Sequence, residues 1–278
     1  MPWIPRGLRN GIVTSRYPYK PDGYGAGFRG TIEVNPDRAA QVTEDVMIVC
    51  PTRAITVEGE KIRLDQGKCI LCGRCVTKAP QVFRFAESFA TSDLRRRSLV
   101  VPSLEESDAT VDAVRDSLAR RVKTLRRSIH VRHVDAGSDG SDEWEVAALT
   151  NPVYDVQRLG IYFTASPRHA DVLLVTGAGS TGMTESLLHT FEVMPYPKVV
   201  LAAGVEAISG GLITNGYVTR EGIASVLDVD VFVPGSPASP FGLLHGLLMA
   251  VNLLPRPMQH VNAMAEPETT TTWGREVT

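Results

Sequence analysis

Three short apolar runs in the second half of the chain each end at a glycine. They are rich in aliphatic residues and have the sequences ADVLLVTG (170–177), PKVVLAAG (197–204) and VDVFVPG (229–235). Segments with helical spacing, such as MTESLLHTFEVM (183–194), lie between them. Alternating buried strands and helices are typical of a parallel α/β sheet, and sites in such sheets form beyond the carboxyl ends of the strands. We therefore predict an α/β domain over residues 129–256 whose strand-end turns carry its function.

The first half of the chain has another pattern. Residues 1–30 combine proline, glycine and aromatic residues without a regular apolar period, so we expect an extended arm that lies on another surface. Residues 31–95 are expected to form a small domain. Within it AITVEGEKIRLD (54–65) alternates apolar and polar positions around Gly59, which predicts a hairpin.

A connecting helix is predicted over residues 96–128. Its apolar residues have helical spacing, and Ser103 with Glu106 fits a capping box at its start. The most apolar stretch, FGLLHGLLMAVNLL (241–254), is shorter than the roughly 20 residues that span a bilayer and predicts a buried helix. Residues 257–278 are polar, and we expect them to form a loose tail.

Composition limits the classes of function. The 278 residues suffice for two domains, and a hydrophobic content of 43% supports a sizeable core. A formal net charge of -2 gives no electrostatic reason to expect nucleic acid as a partner. Because no apolar run is long enough to span a bilayer, we expect a cytoplasmic protein that reaches a membrane only through partners.

Three of the four cysteines lie in KCILCGRCVTKAP (68–80). Cys69, Cys72 and Cys75 have the spacing C-x-x-C-x-x-C, which begins a ferredoxin-type iron–sulfur sequence. A fourth cysteine normally precedes the proline that ends such a run, but here that position is Ala79. The run alone therefore supplies three of four thiolate ligands.

Cys50, followed by proline in VCPTRAI, supplies the fourth ligand. In two-cluster ferredoxins the last cysteine of each run binds the cluster of the other run. Cys50 with the three cysteines downstream makes one complete set, and the positions of the other set are Ala40, Thr43, Val46 and Ala79. One [4Fe–4S] cluster is predicted to be kept and the other lost.

Two other roles of the cysteines stay open. Zinc also accepts four cysteines, but usually as two C-x-x-C pairs, which one triple and a distant Cys-Pro fit poorly. Disulfides are disfavoured because the sequence shows no signal peptide and its cysteines fall in one short segment.

Much of the chain resembles two subunits of a known group of complexes. The second half resembles the small, cluster-bearing subunit shared by membrane-bound [NiFe] hydrogenases, formate hydrogenlyase and respiratory complex I. The first half, with FRG (28–30) leading into the cysteines, looks like the ferredoxin-like subunit of the same complexes. The resemblance runs from about Gly7 to Leu254. It implies an α+β ferredoxin-like domain followed by an α/β flavodoxin-like domain with a parallel sheet. The segments that carry the match in the second half are HVDAGSDGSDEWEVAALTNPVYDVQRLGIYFTASPRHADVLLVTG, PKVVLAAGVEAISGG and DVDVFVPGSPASPFGLLHGLL.

The resemblance also implies a second cluster site, which this chain has changed. The small subunit of the family holds a [4Fe–4S] cluster with four cysteines in a G-S-C-N-G-C-x-x-E-type loop, a G-x-C-A turn and a V-P-G-C-P turn. The corresponding positions here are Asp139, Asp142, Glu206 and Ser236. Hard oxygen ligands do not replace soft thiolates on iron–sulfur clusters, so we expect this cluster to be absent. Clustered carboxylates could instead bind a hard cation or share protons; the alternative is a vacated pocket filled by solvated polar side chains.

The segment GAGSTG, Gly177–Gly182, offers a rival interpretation. It matches the dinucleotide-binding pattern G-x-G-x-x-G between a strand and a helix, with Glu206 near the position of a ribose-binding acid. Against it, the resembling family has a glycine-containing turn here without binding NAD. A dinucleotide fold also usually carries the motif after its first strand.

Three hypotheses of function follow from these observations. The first is an electron-transfer or redox-sensing subunit, without catalysis of its own, of a hydrogenase-like or complex I-like oxidoreductase. Its expected partners are a large subunit and membrane subunits, on the inner face of the membrane. The second is a structural subunit whose cluster only stabilises the fold, and the third is a nucleotide-binding enzyme. Because by resemblance only one of three clusters is kept, a continuous path of clusters is not expected.

Overall fold

The computed structural model of the protein describes most of the chain. Gly59, the predicted cap residues Ser103 and Glu106, and the tail 257–278 lie outside the residues that it describes. The described ranges are 3–20, 27–41, 44–58, 61–102, 108–125, 128–214 and 216–254.

The first half contains two small antiparallel sheets. Strands β2 (Ile55–Glu58) and β3 (Lys61–Asp65) pair antiparallel, as predicted for the hairpin, and the short strand β5 (Val100–Val101) joins β3. Strands β1 (Thr31–Val34) and β4 (Phe83–Ala86) form the second sheet. Their inward side chains share one apolar core, which contains Cys69 and Cys75 and against which Cys50 packs.

Three short helices accompany these strands. Helix α2 (Glu44–Val49) ends just before Cys50, and α3 (Arg74–Lys78) contains Cys75. The sequence Trp3–Asn10, which we expected to be extended, forms helix α1 with no buried residue. Its apolar residues occupy neighbouring positions of two turns, a helical spacing that the prolines and glycines of this segment conceal from a search for regular periods.

The second half is built on a parallel sheet of five strands, as the apolar runs predict. Counted from its first strand, the order is 2-1-3-4-5, and all neighbours pair in parallel. This is the order of the flavodoxin-like doubly wound sheets, whose sites lie where the order reverses, between the first and third strands. The strands are β6 (Ile129–Asp135), β7 (Ile161–Phe163), β8 (Val172–Thr176), β9 (Val199–Ala203) and β10 (Val231–Val233).

Helices cover both faces of this sheet. Strand β8 is buried on both sides: Val172 and Leu174 belong to one core cluster, and Leu173 and Val175 belong to the other. Two helices, α5 and α8, contribute to the first cluster together with α4, and α6 and α7 contribute to the second. These helices are α4 (Asp108–Arg121), α5 (Ser141–Ala148), α6 (Thr181–Glu192), α7 (Gly204–Ser209) and α8 (Pro240–Ala250).

Helix α8 is the buried helix that its composition predicts, since all of its residues are buried. The imidazole of His245 is satisfied inside it, because its Nδ1 accepts a hydrogen bond of 3.2 Å from the backbone N–H of Ser92. Among the residues that the structure describes, no helix is both long and apolar enough to cross a membrane.

Two segments of the first half lie on the second. Asp93 pairs antiparallel with Phe232 at the outer edge of β10, through backbone hydrogen bonds of 2.9 and 2.8 Å. Upstream, Tyr17 is buried against the rings of Phe89 and Phe241, and Arg158 donates a hydrogen bond of 2.6 Å to its carbonyl. The later part of the N-terminal arm thus lies on its own chain.

Two helical glycines differ sharply in the space around them. A Cβ on Gly246, in α8, would lie 2.3 Å from Val233 Cγ2, whereas a Cβ on Gly182, in α6, would meet nothing within 4 Å. We expect Gly246→Ala to lower the free energy of unfolding by about 1–3 kcal/mol through overpacking. Gly182→Ala should leave it unchanged or raise it by up to about 1 kcal/mol. Urea denaturation followed by circular dichroism measures both; equal effects would show that α8 does not pack this closely on β10.

Candidate metal centre

The four cysteines lie close together at the core of the first half, with Cys72 on its exposed side. Cys50 follows helix α2, Cys69 follows the turn Gln66–Lys68 after β3, and Cys75 lies in α3. The thiol of Cys69 interacts electrostatically with those of Cys50, Cys72 and Cys75, and Cys75 also interacts with Cys50 and Cys72. Two segments separated by a hairpin therefore bring their thiols within electrostatic range of one another.

The loop around these cysteines bends so that backbone N–H groups point at sulfur. Leu71 and Gly73 have φ values of 54° and 72°, in the left-handed region, which turns the chain tightly between cysteines. Ala54 N–H donates a hydrogen bond of 3.2 Å to Cys50 Sγ. The N–H groups of Leu71 and Val76 similarly serve Cys69 and Cys75. Such donors stabilise the thiolate form that metal binding requires.

The four thiols differ in burial. Cys69 and Cys75 are buried, Cys50 is half-buried, and Cys72 is exposed. Burial raises the pKa of Cys69 to about 12 and that of Cys75 to about 11. These two thiols need a nearby cation to become thiolates, and iron or zinc supplies such a charge. The four thiols are soft donors of the kind that iron and zinc take, and the N–H groups beside them favour the thiolate form.

The thiols lie close together, but they do not form a complete set of metal ligands in the positions that the structure gives them. Among the residues that the structure describes, no group of three or more His, Cys, Asp or Glu side chains could hold a metal ion as placed. What the structure shows is the convergence of the four thiols and of their backbone donors.

The positions of the lost ligand set are partly visible. Val46 and Ala79 are both 2% exposed and pack in the same apolar core as the cysteines. Thr43 and the side chain of Ala40 lie outside the description. At the two visible positions, an apolar side chain stands where a second cluster would need a ligand.

The second half brings its three predicted acids together at the carboxyl ends of its strands. Asp142 is 2% exposed and interacts electrostatically with Glu206 and Asp139. The backbone N–H of Asp139 hydrogen-bonds to the Glu206 carboxylate, whose Oε2 is buried without a hydrogen-bond partner. Ser236, in contrast, is exposed in the turn after β10.

Asp142 joins three strand-end turns. Its Oδ1 accepts a hydrogen bond of 2.7 Å from Ala238 N–H, and its carboxylate lies so close to Gly204 that a Cβ there would be 2.0 Å from Oδ2. Val205 N–H donates to Gly235 O at 2.8 Å. The turns before α5, before α7 and after β10 are therefore held against one another by hydrogen bonds and close packing.

Titration of these acids follows from their surroundings. Burial, with Glu143, Glu206 and Asp139 nearby, raises the pKa of Asp142 to about 7. Burial also raises the pKa of Glu206, whereas hydrogen bonds from Ser141 lower that of Asp139. Near neutral pH this cluster can therefore hold a proton that isolated carboxylates would release.

A polar network beside Asp142 was not anticipated from the sequence. Glu143 accepts hydrogen bonds from Ser138, at 2.8 Å, and from Thr176, and Thr176 Oγ1 lies 3.0 Å from His133 Nε2. Burial lowers the pKa of His133. Only the place of these residues in the chain could have pointed to the network. Strands β6 and β8 flank the point where the strand order reverses, and the residues of the network lie near the carboxyl ends of these two strands.

Backbone N–H groups of the loop GAGSTG are already hydrogen-bonded within the protein. The N–H groups of Ala178, Ser180 and Thr181 donate to protein carbonyls at 3.0, 2.8 and 2.8 Å, so they are not offered to a phosphate. A Cβ on Gly177 would lie 2.6 Å from the backbone of Gly137. Close packing alone therefore explains why this position is a glycine. Gly182 has open space, whereas the third glycine of a dinucleotide motif serves close helix–strand packing.

The two candidate sites are connected by helix α7. This helix begins beside Asp142 and carries Glu206 in its first turn. Its Ile208 packs on the turn before Cys69, where a Cβ on Gly67 would lie 2.8 Å from Ile208 Cγ2. The metal centre and the carboxylate cluster thus lie on either side of one short helix.

Comparisons with known proteins match the second half of the chain. Residues 140–250 match the model of the family described as NADH ubiquinone oxidoreductase, 20 Kd subunit. Formate hydrogenlyase subunit 7 of Escherichia coli (strain K12) is 36% identical over 147 residues, which are 53% of this chain and 56% of that protein. The chain therefore spans little more than half the length of that relative.

Two further proteins are similar to part of this chain. The probable membrane-bound hydrogenase subunit mbhJ of Pyrococcus furiosus is 37% identical over 49% of this chain and 82% of its own length. A chain of the membrane-bound sulfane sulfur reductase, an archaeal respiratory membrane complex, matches 50% of this chain and 74% of its own, with 26% identity and a TM-score of 0.41. Because the match to the Pyrococcus subunit extends over most of that protein, the C-terminal region of this chain belongs to the family of the complex I 20 Kd subunit and the membrane-bound hydrogenase small subunit.

Proposed function

We propose that this chain is an iron–sulfur electron-transfer or redox-sensing subunit of a hydrogenase-like or complex I-like membrane-associated oxidoreductase. It carries one [4Fe–4S] cluster on Cys50, Cys69, Cys72 and Cys75. The observation that supports this most is the meeting of Cys50 with the C-x-x-C-x-x-C loop, with backbone N–H groups directed at three of the sulfurs.

The residues around the cluster would do two things. A bound cluster supplies one-electron redox chemistry. Buried Cys69 and Cys75 hold its inner side away from water, and the N–H groups of Ala54, Leu71 and Val76 stabilise negative charge on sulfur. Exposed Cys72 leaves one side open, where an electron partner can approach most closely.

The chain has no further cluster in this proposal. Apolar Val46 and Ala79 pack into the space of the second ferredoxin-like ligand set. In the other half, Asp142 is engaged with Ala238 and Gly204, and its oxygens are hard donors that suit iron–sulfur clusters poorly. One isolated cluster favours exchange with a single close partner, or sensing, over conduction along a chain of clusters.

The partners follow from family membership. The relatives are named as subunits of formate hydrogenlyase and of a membrane-bound hydrogenase. By analogy, the chain docks on a large subunit like those of hydrogenases and complex I, and on membrane subunits at the inner face. Exposed apolar side chains on the loop after α7 and on α5 offer surfaces for this; they include Trp144, Leu212 and Tyr217.

A second candidate function concerns the carboxylates. Asp142 and Glu206 occupy the family's cluster position, are electrostatically coupled, and include a buried oxygen without a partner, which favours shared protons over full ionisation. The nucleotide-binding alternative has less support, because the N–H groups of its loop already serve protein carbonyls. In the purely structural alternative the cluster only stabilises the fold. A reductive titration distinguishes it from electron transfer, which requires a cluster that is reversibly reduced.

The ligand set is tested by single substitutions. The anaerobically purified protein should contain about four iron and four sulfide per chain. Cys50→Ser should reduce this content as severely as Cys72→Ser, because each removes one of four thiolates from the same site. Thr77→Ser, which removes no thiolate and keeps the hydroxyl that donates to Gly73 O, is the control and should keep the full content. A normal cluster in Cys50→Ser, eight iron atoms, or zinc without sulfide would each refute the assignment.

The carboxylate cluster is tested by pH-dependent stability. Asp142 has a pKa of about 7 when folded and about 3.9 when unfolded. Between these values the folded state keeps a proton that the unfolded state has released, so stability falls as pH rises. Asp142→Asn removes this loss and should be more stable than wild type at pH 8, by on the order of 3 kcal/mol, and similar at pH 4.

Asp139→Asn is the control for that measurement. Because the pKa of Asp139 is lowered, its ionised carboxylate stabilises the folded state, which is the opposite of the effect of Asp142. This stabilisation is present above the unfolded pKa and is lost as pH falls. This variant should therefore gain less at pH 8 than Asp142→Asn, because it loses this contribution and removes only a minor cause of the raised pKa of Asp142. Urea denaturation at several pH values measures both variants, and an Asp142→Asn curve parallel to wild type from pH 4 to 8 would show that Asp142 is ionised throughout.

Assembly is tested in the native host. The tagged chain, purified from solubilised membranes, should recover a stoichiometric partner that resembles the hydrogenase or complex I large subunit, together with membrane proteins. Replacing Asp139, Asp142, Glu206 and Ser236 with alanine should weaken this recovery without lowering the iron content, if the turns serve subunit contact. Recovery of only a monomer or homodimer, with nothing in the membrane fraction, would contradict the proposal.

A further inference from the structure

A cavity of about 590 Å³ lies between the two halves of the chain. One wall consists of residues next to two cysteines: Thr52 and Arg53 follow Cys50, and Lys68 precedes Cys69. The other wall consists of the end of helix α7 and the turn after it. The cavity is therefore separate from the carboxylate cluster, which lies at the start of α7.

Positive charge predominates in the described lining. Arg53, Lys68 and Arg96 line the cavity, and Glu221 is the one acid among the lining residues. Arg53 and Lys68 are exposed and come from the two segments that carry the cysteines. Their side chains are free to move onto a ligand, because surface cations retain rotamer freedom.

Arg96 is a fixed part of this lining. Its Nη1 and Nη2 donate hydrogen bonds of 2.7 Å to the two oxygens of Asp65, and its guanidinium packs on Gly67, where a Cβ would lie 2.8 Å from Nη1. A guanidinium has five N–H donors, so two bonds to Asp65 leave others for a ligand. This combination supplies a donor whose position is set before binding.

The opposite wall adds apolar surface and a hydroxyl. Ile208 and Leu212 line the cavity beside Thr214. The volume lies within the range of about 300–1,000 Å³ typical of small-molecule pockets, and it is far larger than an inorganic anion requires. The ligand that suits such walls has an anionic group at one end and an organic body at the other.

We propose that this cavity binds a small organic phosphate, with its phosphate on Arg53, Lys68 and Arg96 and its organic part against Ile208 and Leu212. A phosphate is favoured over a carboxylate because Arg53, Lys68 and Arg96 together offer more N–H donors than the two oxygens of a carboxylate accept. The ligand touches both halves and so holds them together beside Cys50 and Cys69. The proposal does not depend on the redox role of the protein.

Calorimetric titration of the full-length, anaerobically purified protein at low ionic strength tests the site. The probes are AMP and glucose 6-phosphate, with adenosine and glucose as phosphate-free counterparts. At least one phosphate should bind saturably at one site per chain, and its counterpart should not. Arg53→Gln and Lys68→Gln should each weaken binding at least tenfold.

Two matched variants make the result decisive. Lys61→Gln removes an exposed cation that does not line the cavity, and Gly182→Ala alters the last glycine of GAGSTG, where a Cβ meets nothing within 4 Å; both should leave the dissociation constant unchanged. Circular dichroism establishes that each variant is folded. Absence of saturable binding by both phosphates at millimolar concentration, equal binding of the phosphate-free compounds, or binding unaffected by Arg53→Gln and Lys68→Gln would overturn the proposal.

Discussion

The contact between the turn Gln66–Lys68 and helix α7 is the interaction on which the arrangement of the two halves depends. The turn has no side chain at Gly67, so Ile208 and the Arg96 guanidinium approach its backbone directly. Asp65 accepts hydrogen bonds from both Arg96 and Gly67 and fixes the turn just before Cys69. A partly buried ion pair of this bidentate kind is geometrically specific. It places the cysteine loop, the cavity and α7 in one fixed relation.

In the second half, the strand-end turns are held together by close packing against the backbone of glycine residues and by hydrogen bonds, not by an iron–sulfur cluster. Gly204 faces the Asp142 carboxylate, and Gly177 faces the backbone of Gly137. Both glycines have φ values near 80°, in the left-handed region that other residues rarely adopt. A carboxylate that accepts a backbone N–H can hold such turns together, so their geometry does not require iron.

Much of this organisation could be predicted from local patterns. The hairpin, the parallel sheet and buried helix α8 follow from apolar periodicity, and the meeting of Cys50 with the later cysteines follows from ferredoxin-type spacing. The pairing of Asp93 with Phe232 and the network of Glu143 with Thr176 could not be predicted in this way, because each joins residues far apart in sequence with no periodic signal. Helix α1 was missed because Pro5 and Gly7 resemble loop residues, although both lie within a helix.

The pairing of Asp93 with Phe232 has a consequence for how the chain can be divided. By sequence, residues 92 and 93 belong to the cysteine-bearing half. In the structure Asp93 pairs with the edge strand of the other half's sheet, and the backbone N–H of Ser92 donates a hydrogen bond to His245 in α8. Cutting the chain at the connecting helix would leave Ser92 and Asp93 on the first fragment and remove them from the second, whose strand β10 would then expose an unpaired edge that invites self-association. The two halves are therefore not interchangeable modules, because Phe89, Ser92 and Asp93 all contact the second half although they precede the connecting helix.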